Sequence, residues 1–358
     1  MDGYRGMRCT QGQATPLASA TVRRRRSASR ASTVMEPLRN FRPSALFRTS
    51  MFRHLRLGML ILAAVGAVVL TAAPATGRKV GIGDQRAAMF SNPHFRALHV
   101  RIARLIVSYD AVLRNTPEAG EIDAWIRAAE QSHIRPLIAF QHVRGCYVGR
   151  HGHIPHLAKC RLPTVNKFRR AFKAFRRKYP EIREYSPWNE ANHRSQPTYK
   201  NPRRAASYYN VVRAACRGCT IVAADVLDQP HFTRWLKKFR RAARGKPRIW
   251  GLHNYKDAND HTTTHTRQML ATVRGQVWFT ETGGIVHFPH RPFNPRRAAK
   301  ATKFMFRLAR ISRRITRVYI YNWTGTRRSA RFDAGLVDRY GRPRPAYWVV
   351  KAHLRKKR

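Results

Sequence analysis

The sequence predicts an α/β protein, a single-domain (β/α)8 TIM barrel spanning residues 78–358. Short runs rich in β-branched and aromatic residues alternate with longer amphipathic segments, and eight such units fill about 280 residues. This alternation is typical of parallel strands joined by crossover helices. Eight units in this length match such a barrel and leave no segment for a second domain.

The predicted strands are the eight apolar runs. In chain order they are KVGIGD (79–84), ARLIVSYD (103–110), RPLIAFQHV (135–143), IREYSPWNE (182–190), CTIVAADVL (219–227), RIWGLHNY (248–255), QVWFTETGG (276–284) and ITRVYIYNW (315–323).

The segments between these strands carry apolar residues three and four positions apart, which indicates amphipathic helices. Phe168, Phe172 and Phe175, for example, fall on one face of the segment 164–179. The other predicted helices are 118–132, 202–216, 231–243, 264–274, 295–311 and 344–356.

The alternative arrangement is an open, doubly wound sheet. Such a sheet often binds a dinucleotide at a glycine-rich turn after its first strand. The corresponding turn, GIGDQ at 81–85, lacks the third glycine and the acidic partner of that site. We therefore expect the barrel.

Residues 51–77 have the composition of a secretory signal peptide. Met51 is followed by a short stretch with Arg53 and Arg56 and then by the uncharged run LGMLILAAVGAVVLTAAPA (57–75). A basic start, an apolar middle and an A-x-A ending specify such a peptide. A membrane anchor is the alternative, because the run approaches the roughly 20 residues that span a bilayer. Either interpretation predicts a folded domain that is secreted or lies on the extracellular face of the cell envelope.

Residues 1–50 are rich in Arg, Ser and Ala and contain RRRR at 23–26. We interpret them as a disordered basic extension or as a translation start assigned too early. The predicted organisation is thus a basic extension or misassigned start at 1–50, a signal peptide or membrane anchor at 51–77, and the barrel domain at 78–358.

The chain is strongly basic, with a formal net charge of +53 at pH 7. Residues 1–77 contribute only twelve arginines and two acids to this charge, so the barrel domain is itself cationic. Such a charge favours polyanionic partners, and we consider an anionic cell-wall polymer, with no nucleic acid expected. The alternative is a composition bias that merely solvates the surface, because basic residues are spread along every segment.

The barrel domain contains four cysteines, an even number that favours disulfides in an exported protein. Cys216 and Cys219 are close enough in sequence to close a tight loop. Cys146 and Cys160 bracket a loop with three histidines, which also permits a zinc site. An oxidising compartment favours the disulfide, so we expect no metal.

Polar residues stand at the ends of most predicted strands, where a barrel places its active site. They include Arg104 on strand two, His142 on strand three, Asn189 and Glu190 on strand four, His253 and Tyr255 on strand six, Glu281 on strand seven and Trp323 on strand eight. Such a set is costly to assemble for stability alone. Two carboxylates facing each other are what glycoside cleavage requires.

Several motifs resemble those of glycoside hydrolase clan A, the retaining TIM-barrel glycosidases that include families 5 and 39. WNEAN (188–192) resembles the W-N-E-P-N signature of that clan, with Ala191 in place of Pro, and FTETGG (279–284) resembles its nucleophile strand. LHNY (252–255) resembles its H-x-Y, and ARLIVSYD its Arg-bearing second strand. The ending DAGLVDRYGRPRPAYWVV (333–350) is similar to the last strand-to-helix turn of the clan.

The resemblance implies that Glu190 is the general acid/base and Glu281 the nucleophile of a double displacement that retains configuration. It implies a carboxyl separation of about 5 to 5.5 Å. It also implies that the charge of Glu281 raises the pKa of Glu190, because like charges at that distance oppose each other's ionisation.

The remaining roles also follow from the resemblance. Asn189 is expected to bind the sugar 2-hydroxyl, Arg104 and Tyr255 to orient Glu281, His253 to lie near the acid/base, and Trp323 to form a platform under the sugar. His142 is a further candidate sugar contact. No cofactor is implied, since two carboxylates suffice for this chemistry.

Three functions are therefore compared. The first is a secreted retaining glycosidase acting on a β-linked polysaccharide. The second is a carbohydrate-binding barrel whose chemistry has lapsed, which the presence of both glutamates disfavours. The third is a cationic envelope protein that binds a polyanion. The sequence gives neither the sugar and its linkage nor internal versus terminal cleavage.

Overall fold

The computed structural model of the chain describes residues 78–148, 152–153 and 160–356. The predicted basic extension and signal peptide lie outside these residues, as do most of the histidines in the loop between Cys146 and Cys160. No helix in the described ranges is long and apolar enough to cross a membrane.

One parallel sheet forms the centre of the domain. Its strands are β1 (Lys79–Gly83), β2 (Ile102–Ser108), β3 (Arg135–Gln141), β6 (Glu184–Ser186), β7 (Thr220–Ile221), β8 (Asp225–Leu227), β9 (Ile249–His253), β10 (Gln276–Thr282) and β11 (Ile315–Tyr321). Their order is β7-β6-β3-β2-β1-β11-β10-β9-β8. Two short strands outside it, β4 (Tyr147–Val148) and β5 (Gly152–His153), form an antiparallel pair.

The sheet closes on itself because β7 and β8 are two parts of one predicted strand. The Val222 N–H donates to the carbonyl of Tyr185 on β6 at 2.9 Å, whereas the Ala223 N–H donates to that of Ile249 on β9 at 2.9 Å. Residues 220–227 therefore pair with both edges, which gives eight strand positions. The predicted (β/α)8 barrel is confirmed.

Helices cover the outside of the barrel. They are α1 (Pro93–Arg96), α2 (Pro117–Gln131), α3 (Val165–Lys178), α4 (Pro202–Ala215), α5 (Phe232–Ala242), α6 (Tyr255–Asp260), α7 (Thr264–Thr272), α8 (Pro295–Arg310) and α9 (Pro345–Arg355), with a 3-10 turn at Ala87–Met89. The short helices α1 and α6 were not predicted, because each is too brief to show a helical period.

Helix α3 shows how the sequence specifies these elements. Thr164 caps its start by accepting a hydrogen bond from the Lys167 N–H at 3.1 Å. Phe168, Phe172 and Phe175 share the buried face, as their spacing predicts. Burial of each such ring contributes about 1.5 to 3 kcal/mol, and the opposite face is left to basic residues.

A small apolar cluster lies inside the barrel. It consists of Ile102, Leu137, Val222, Trp278 and Tyr319. Glu184 on β6 is also buried, and both oxygens of its carboxylate accept hydrogen bonds from Arg317 on β11. A buried carboxylate needs such compensation. This pair lies at the end of the barrel opposite to the strand ends that carry the candidate site.

Two disulfides form as predicted. Cys146 pairs with Cys160, with Cα atoms 5.3 Å apart, and Cys216 pairs with Cys219. The first disulfide links two positions that follow β3 and are 14 residues apart in the sequence.

Candidate active site

Six predicted site residues meet at the carboxyl ends of the strands. They are Arg104 on β2, Asn189 and Glu190 after β6, His253 on β9, Tyr255 at the start of α6 and Glu281 on β10. Parallel strands in a barrel all end at one rim, so distant parts of the sequence converge there. Arg104 and Glu281, for example, are hydrogen-bonded although 177 positions separate them.

Glu190 lies in a strained turn just beyond β6. Its φ angle is +43°, in the left-handed region that non-glycine residues rarely adopt. The turn is fixed by its neighbours, because the Asn189 N–H donates to the Phe140 carbonyl at 2.6 Å and the Ala191 N–H to the Asp225 carbonyl at 2.9 Å. Strain that the surroundings enforce in this way is typical of functional sites.

Glu281 is the second carboxylate at the rim. Its Oε2 accepts a hydrogen bond from Arg104 Nη1 at 2.8 Å, and its Oε1 accepts one from the Tyr255 hydroxyl at 3.3 Å. Single ligand atoms of Glu190, His253 and Glu281 all lie within 4.8 Å of one another. Carboxyl groups this close match the separation of about 5 to 5.5 Å at which one can attack a sugar carbon while the other protonates the leaving oxygen.

His253 lies between two carboxylates. Its Nδ1 is 3.3 Å from Glu190 Oε1, and its Nε2 is 2.9 Å from Asp225 Oδ1. The ring is fully buried. Burial alone would lower the pKa of His253, but the charges of Asp225 and Glu281 outweigh it and raise this pKa to about 10.

The direction of the pKa shift of Glu190 is opposite to the one expected from sequence. Burial would raise this pKa, but the hydrogen bond and positive charge of His253, helped by His193, lower it. Repulsion from the charge of Asp225 opposes this lowering but is a smaller influence. Burial raises the pKa of Glu281, and the charges of His253 and Arg104 offset this only in part.

A cleft of about 650 Å³ opens above the two glutamates. Tyr255, Phe288, Tyr321 and Phe332 form an aromatic wall along it. Phe332 packs edge-on against Tyr255, with ring centroids 5.7 Å apart. Flat apolar side chains beside polar groups are what a sugar ring requires of its binding site.

Trp323 does not belong to this wall, and its predicted role as a sugar platform is wrong. Its side chain is only 1% exposed and packs edge-on against Phe95 and Tyr347 in the core. Side chains along a strand alternate between its two faces, but Trp323 lies just past the end of β11, so the alternation did not predict its direction. Tyr321, two residues earlier, lines the cleft instead.

The other predicted contacts lie at or beneath the cleft. His142 lines it, and its Nδ1 is 2.7 Å from the Val143 carbonyl. Asn189 is buried, and its Oδ1 accepts a hydrogen bond from Arg104 Nη2 at 2.5 Å. Trp188 packs in the core, where its Nε1 donates to Gln196, so its neighbour Asn189 alone faces the rim.

Sequence reasoning missed Asp225, His193, Phe288 and Phe332. Asp225 had a visible signal, since it is an acid within the apolar run CTIVAADVL. Phe288 and Phe332 lie in loops, where no periodic pattern indicates which way a side chain points. His193 lies three residues after Glu190, and its Nδ1 is 3.7 Å from Glu190 Oε2.

A second cluster of Asp228, Asp257 and His265 also has metal-like spacing. The hydrogen bonds of its aspartates give it a structural explanation. Asp228 accepts the N–H groups of Lys256 and Asp257 at the start of α6, whereas Asp257 accepts that of Thr266 in α7. These are helix caps.

The profile of the family "Glycosyl hydrolase catalytic core" matches residues 168–349, which is about half of the chain. The matched range includes both glutamates and five of the eight strand positions, all except those of β1, β2 and β3. No curated protein matches the chain by sequence.

Several solved structures share the fold at low sequence identity. A family 39 glycoside hydrolase from Bacteroides cellulosilyticus WH2 is 15% identical with a TM-score of 0.52, covering 78% of this chain and 63% of its own. Xylanase 10B from Thermotoga maritima is 12% identical with a TM-score of 0.55, covering 79% and 96%. A GH5_18 protein from Streptomyces cattleya in complex with Manβ1-4GlcNAc is 14% identical with a TM-score of 0.57, covering 79% and 81%. The chain thus spans less than two thirds of the family 39 protein.

Proposed function

Because the chain belongs to the glycosyl hydrolase catalytic core family, we propose that it is a secreted retaining glycoside hydrolase that cleaves O-glycosidic bonds in a β-linked polysaccharide. The observation that carries this proposal is the placement of Glu190 and Glu281. Their carboxylate oxygens approach within 4.8 Å at the floor of one cleft. An inverting enzyme needs a wider gap of about 6.5 to 9.5 Å to hold a water molecule between them.

In the first step of the proposed reaction, Glu281 attacks the anomeric carbon. Arg104 and Tyr255 donate hydrogen bonds to its two oxygens and so fix the direction of attack. Glu190 gives a proton to the leaving oxygen as the glycosidic bond breaks. This forms a glycosyl ester on Glu281.

In the second step, Glu190 removes a proton from water, and the resulting oxygen nucleophile attacks the same carbon and releases Glu281. Two displacements at one carbon restore its original configuration. Asn189, held by Arg104, would bind the sugar 2-hydroxyl. The aromatic wall would carry the apolar face of the ring.

Export and the polysaccharide substrate belong to the same proposal. Two disulfides are consistent with an oxidising compartment, and residues 51–77 have the pattern of a signal peptide. The open cleft would admit a chain rather than only a free sugar. The β1-4-linked disaccharide bound by the Streptomyces cattleya protein makes β-linked glycans the first substrates to test.

A second role, docking on an anionic wall polymer, is supported by where the acids lie. Nine of the 16 acids in the barrel domain are buried, so they do little to balance the basic surface. Two grooves are lined, among the residues that the structure describes, by basic side chains and by no acid. One holds Arg169, Lys173 and Arg244, and the other holds Lys200, Arg203, Lys238 and Arg241. Charge of this kind attracts a polyanion.

The test of the enzyme proposal is hydrolysis of β-glucans, mannan, xylan and arabinogalactan by the chain from Arg78 onward. We expect sugar release from at least one polymer. Glu190→Gln and Glu281→Gln should each reduce it by about 10³-fold or more, since each removes a group that reacts.

Glu184→Gln is the matched control, because Glu184 is buried as Glu281 is but lies away from the cleft. It should retain activity per folded molecule. If a polymer is bound but never cleaved, and both active-site variants bind it equally, the chain is a binding protein and the proposal fails.

A further inference from the structure

The side chain of Asp225, at the start of β8, has more polar partners than the side chain of either reacting glutamate, Glu190 or Glu281. Its side chain is completely buried. Oδ1 accepts a hydrogen bond from Thr280 and lies 2.9 Å from His253 Nε2. Oδ2 accepts from Arg104 Nη2 at 2.8 Å and from Ser186 Oγ at 3.1 Å. Four donor groups thus converge on one carboxylate.

We propose that Asp225 is a positioning residue for both catalytic glutamates, orienting Glu281 through Arg104 and supplying Glu190 with a proton through His253. This inference rests on the proposed glycosidase function and deepens it. Neither Glu190 nor Glu281 contacts Asp225 directly. Asp225 must therefore act on them through Arg104 and His253, which lie between.

The first connection runs through the Arg104 guanidinium. Nη2 binds Asp225 while Nη1 binds Glu281, both at 2.8 Å. A guanidinium is planar and rigid, so fixing one end fixes the other. Because the Arg104 side chain is only 1% exposed, an arginine without Asp225 would have lost its best buried counter-charge.

The second connection runs through the His253 ring. Asp225 at Nε2 keeps a proton on that nitrogen, which leaves Nδ1 facing Glu190 Oε1. An aspartate that fixes the tautomer of a catalytic histidine acts in the same way. The charged groups facing this ring are Asp225 and Arg104 at Nε2, and Glu190 and Glu281 at Nδ1.

The proton balance of the cycle follows from this arrangement. In the free site the exchangeable proton is on His253 Nδ1 and Glu190 is ionised, in keeping with their shifted pKa values. When substrate binds, the proton moves to Glu190 Oε1 and leaves His253 neutral. Glu190 passes it to the leaving oxygen, and the water that cleaves the glycosyl ester returns one proton to Glu190 and hence to His253.

The neighbouring strand leaves room for Asp225. Gly251 on β9 faces it, and a Cβ atom there would lie 2.5 Å from Asp225 Oδ1 and 2.7 Å from Thr280 Oγ1. Only glycine permits this approach. The buried carboxylate of Asp225 therefore requires glycine at position 251 of β9.

The test is Asp225→Asn, which keeps the shape of the side chain and removes its charge. On the polymer that the wild type cleaves, we expect kcat to fall by about 100-fold or more with KM changed less than about threefold. Without the charge that raises the pKa of His253, the exchangeable proton is lost at lower pH. The alkaline limb of the kcat/KM profile should therefore move down by about one pH unit or more.

An aryl glycoside of the same sugar with a strongly acidic phenol separates the two connections. Departure of such a phenol needs no proton. Asp225→Asn should therefore regain part of its loss on that substrate, and the remaining loss reports the connection through Arg104.

Glu184→Gln again serves as the control, since it neutralises a buried acid paired with arginine outside the site. It should lower thermal stability without moving the pH profile. If Asp225→Asn behaves in the same way, with kcat per folded molecule within threefold of the wild type, the inference is wrong. If the wild type cleaves no substrate, the proposed function has failed instead.

A second measurement covers the case in which Asp225→Asn does not fold. In wild-type protein with ¹⁵N-labelled histidine, the His253 ring signals are assigned by their loss in His253→Gln. Both ring nitrogens should be protonated at pH 7. A neutral His253 ring at this pH would overturn the connection between Asp225 and Glu190.

Discussion

Phe332 is the side chain of the aromatic wall that we propose as a platform for a bound sugar. It is only partly buried, lines the cleft, and packs against Tyr255 and Phe288. Trp323, by contrast, is buried among core aromatics. The two residues therefore differ in what their loss should affect.

We expect Phe332→Ala to raise KM by about tenfold, equivalent to about 1.4 kcal/mol, because it removes a stacking surface but little core packing. Trp323→Ala should instead lower the free energy of unfolding by about 3 to 5 kcal/mol. Kinetics on the cleaved polymer and chemical denaturation distinguish these effects. An unchanged KM for Phe332→Ala, or a larger loss of stability there than at Trp323, would contradict the assignment.

The residues at the strand ends differ in how well sequence predicted them. Glu190 and Glu281 stand within recognisable motifs at the ends of predicted strands. The barrel fold then predicts that these strand ends meet. The pKa direction of Glu190 could not be predicted, because it depends on the hydrogen bond and the positive charge of His253 beside it. Asp225 was missed because a single acid in an apolar strand has no motif to mark it.

At the scale of elements, strands were predicted better than loops. The runs 79–84 and 315–323 contain β1 and β11, which pair in parallel. The run 182–190 was predicted as one strand, yet β6 covers only Glu184–Ser186. The chain leaves the sheet after Ser186 to form the strained turn of Glu190, and this turn has no periodic signature.

Helices α3, α4 and α5 contain no acidic residue, and the two basic grooves lie along them. A polymer seated in the groove between α4 and α5 would meet Lys200, Arg203, Lys238 and Arg241 together. Helix α8 is similarly basic, with Arg296, Lys300, Lys303 and Arg310 exposed along it. It offers the same charge on a different face.

In the groove variant, Lys200, Arg203, Lys238 and Arg241 are all replaced by Gln. We expect it to elute from an anionic polysaccharide column at a lower sodium chloride concentration than the wild type. Salt screens exposed charges, so elution reports their number and arrangement. The matched control replaces Arg296, Lys300, Lys303 and Arg310 of α8 by Gln. It should elute later than the groove variant. Equal shifts in both would show that the charge attracts polymer generally and that the groove is no docking site.

For the whole molecule, closure of the barrel is what unites the candidate site. Residues 220–227 join the two sheet edges and carry Asp225 into the centre of the rim. Because the backbone of Asp225 also accepts the Ala191 N–H, the strand that closes the barrel fixes the turn of Glu190 as well. Fold and site geometry therefore depend on the same segment.

The most direct test of the two-glutamate mechanism is the configuration of the first product. Proton NMR during hydrolysis of a β-linked polymer distinguishes the two anomers before they equilibrate. Glu190 and Glu281 at their present separation predict that the β anomer appears first and the α anomer only later. Initial release of the α anomer would show a single displacement and contradict the nucleophilic role of Glu281.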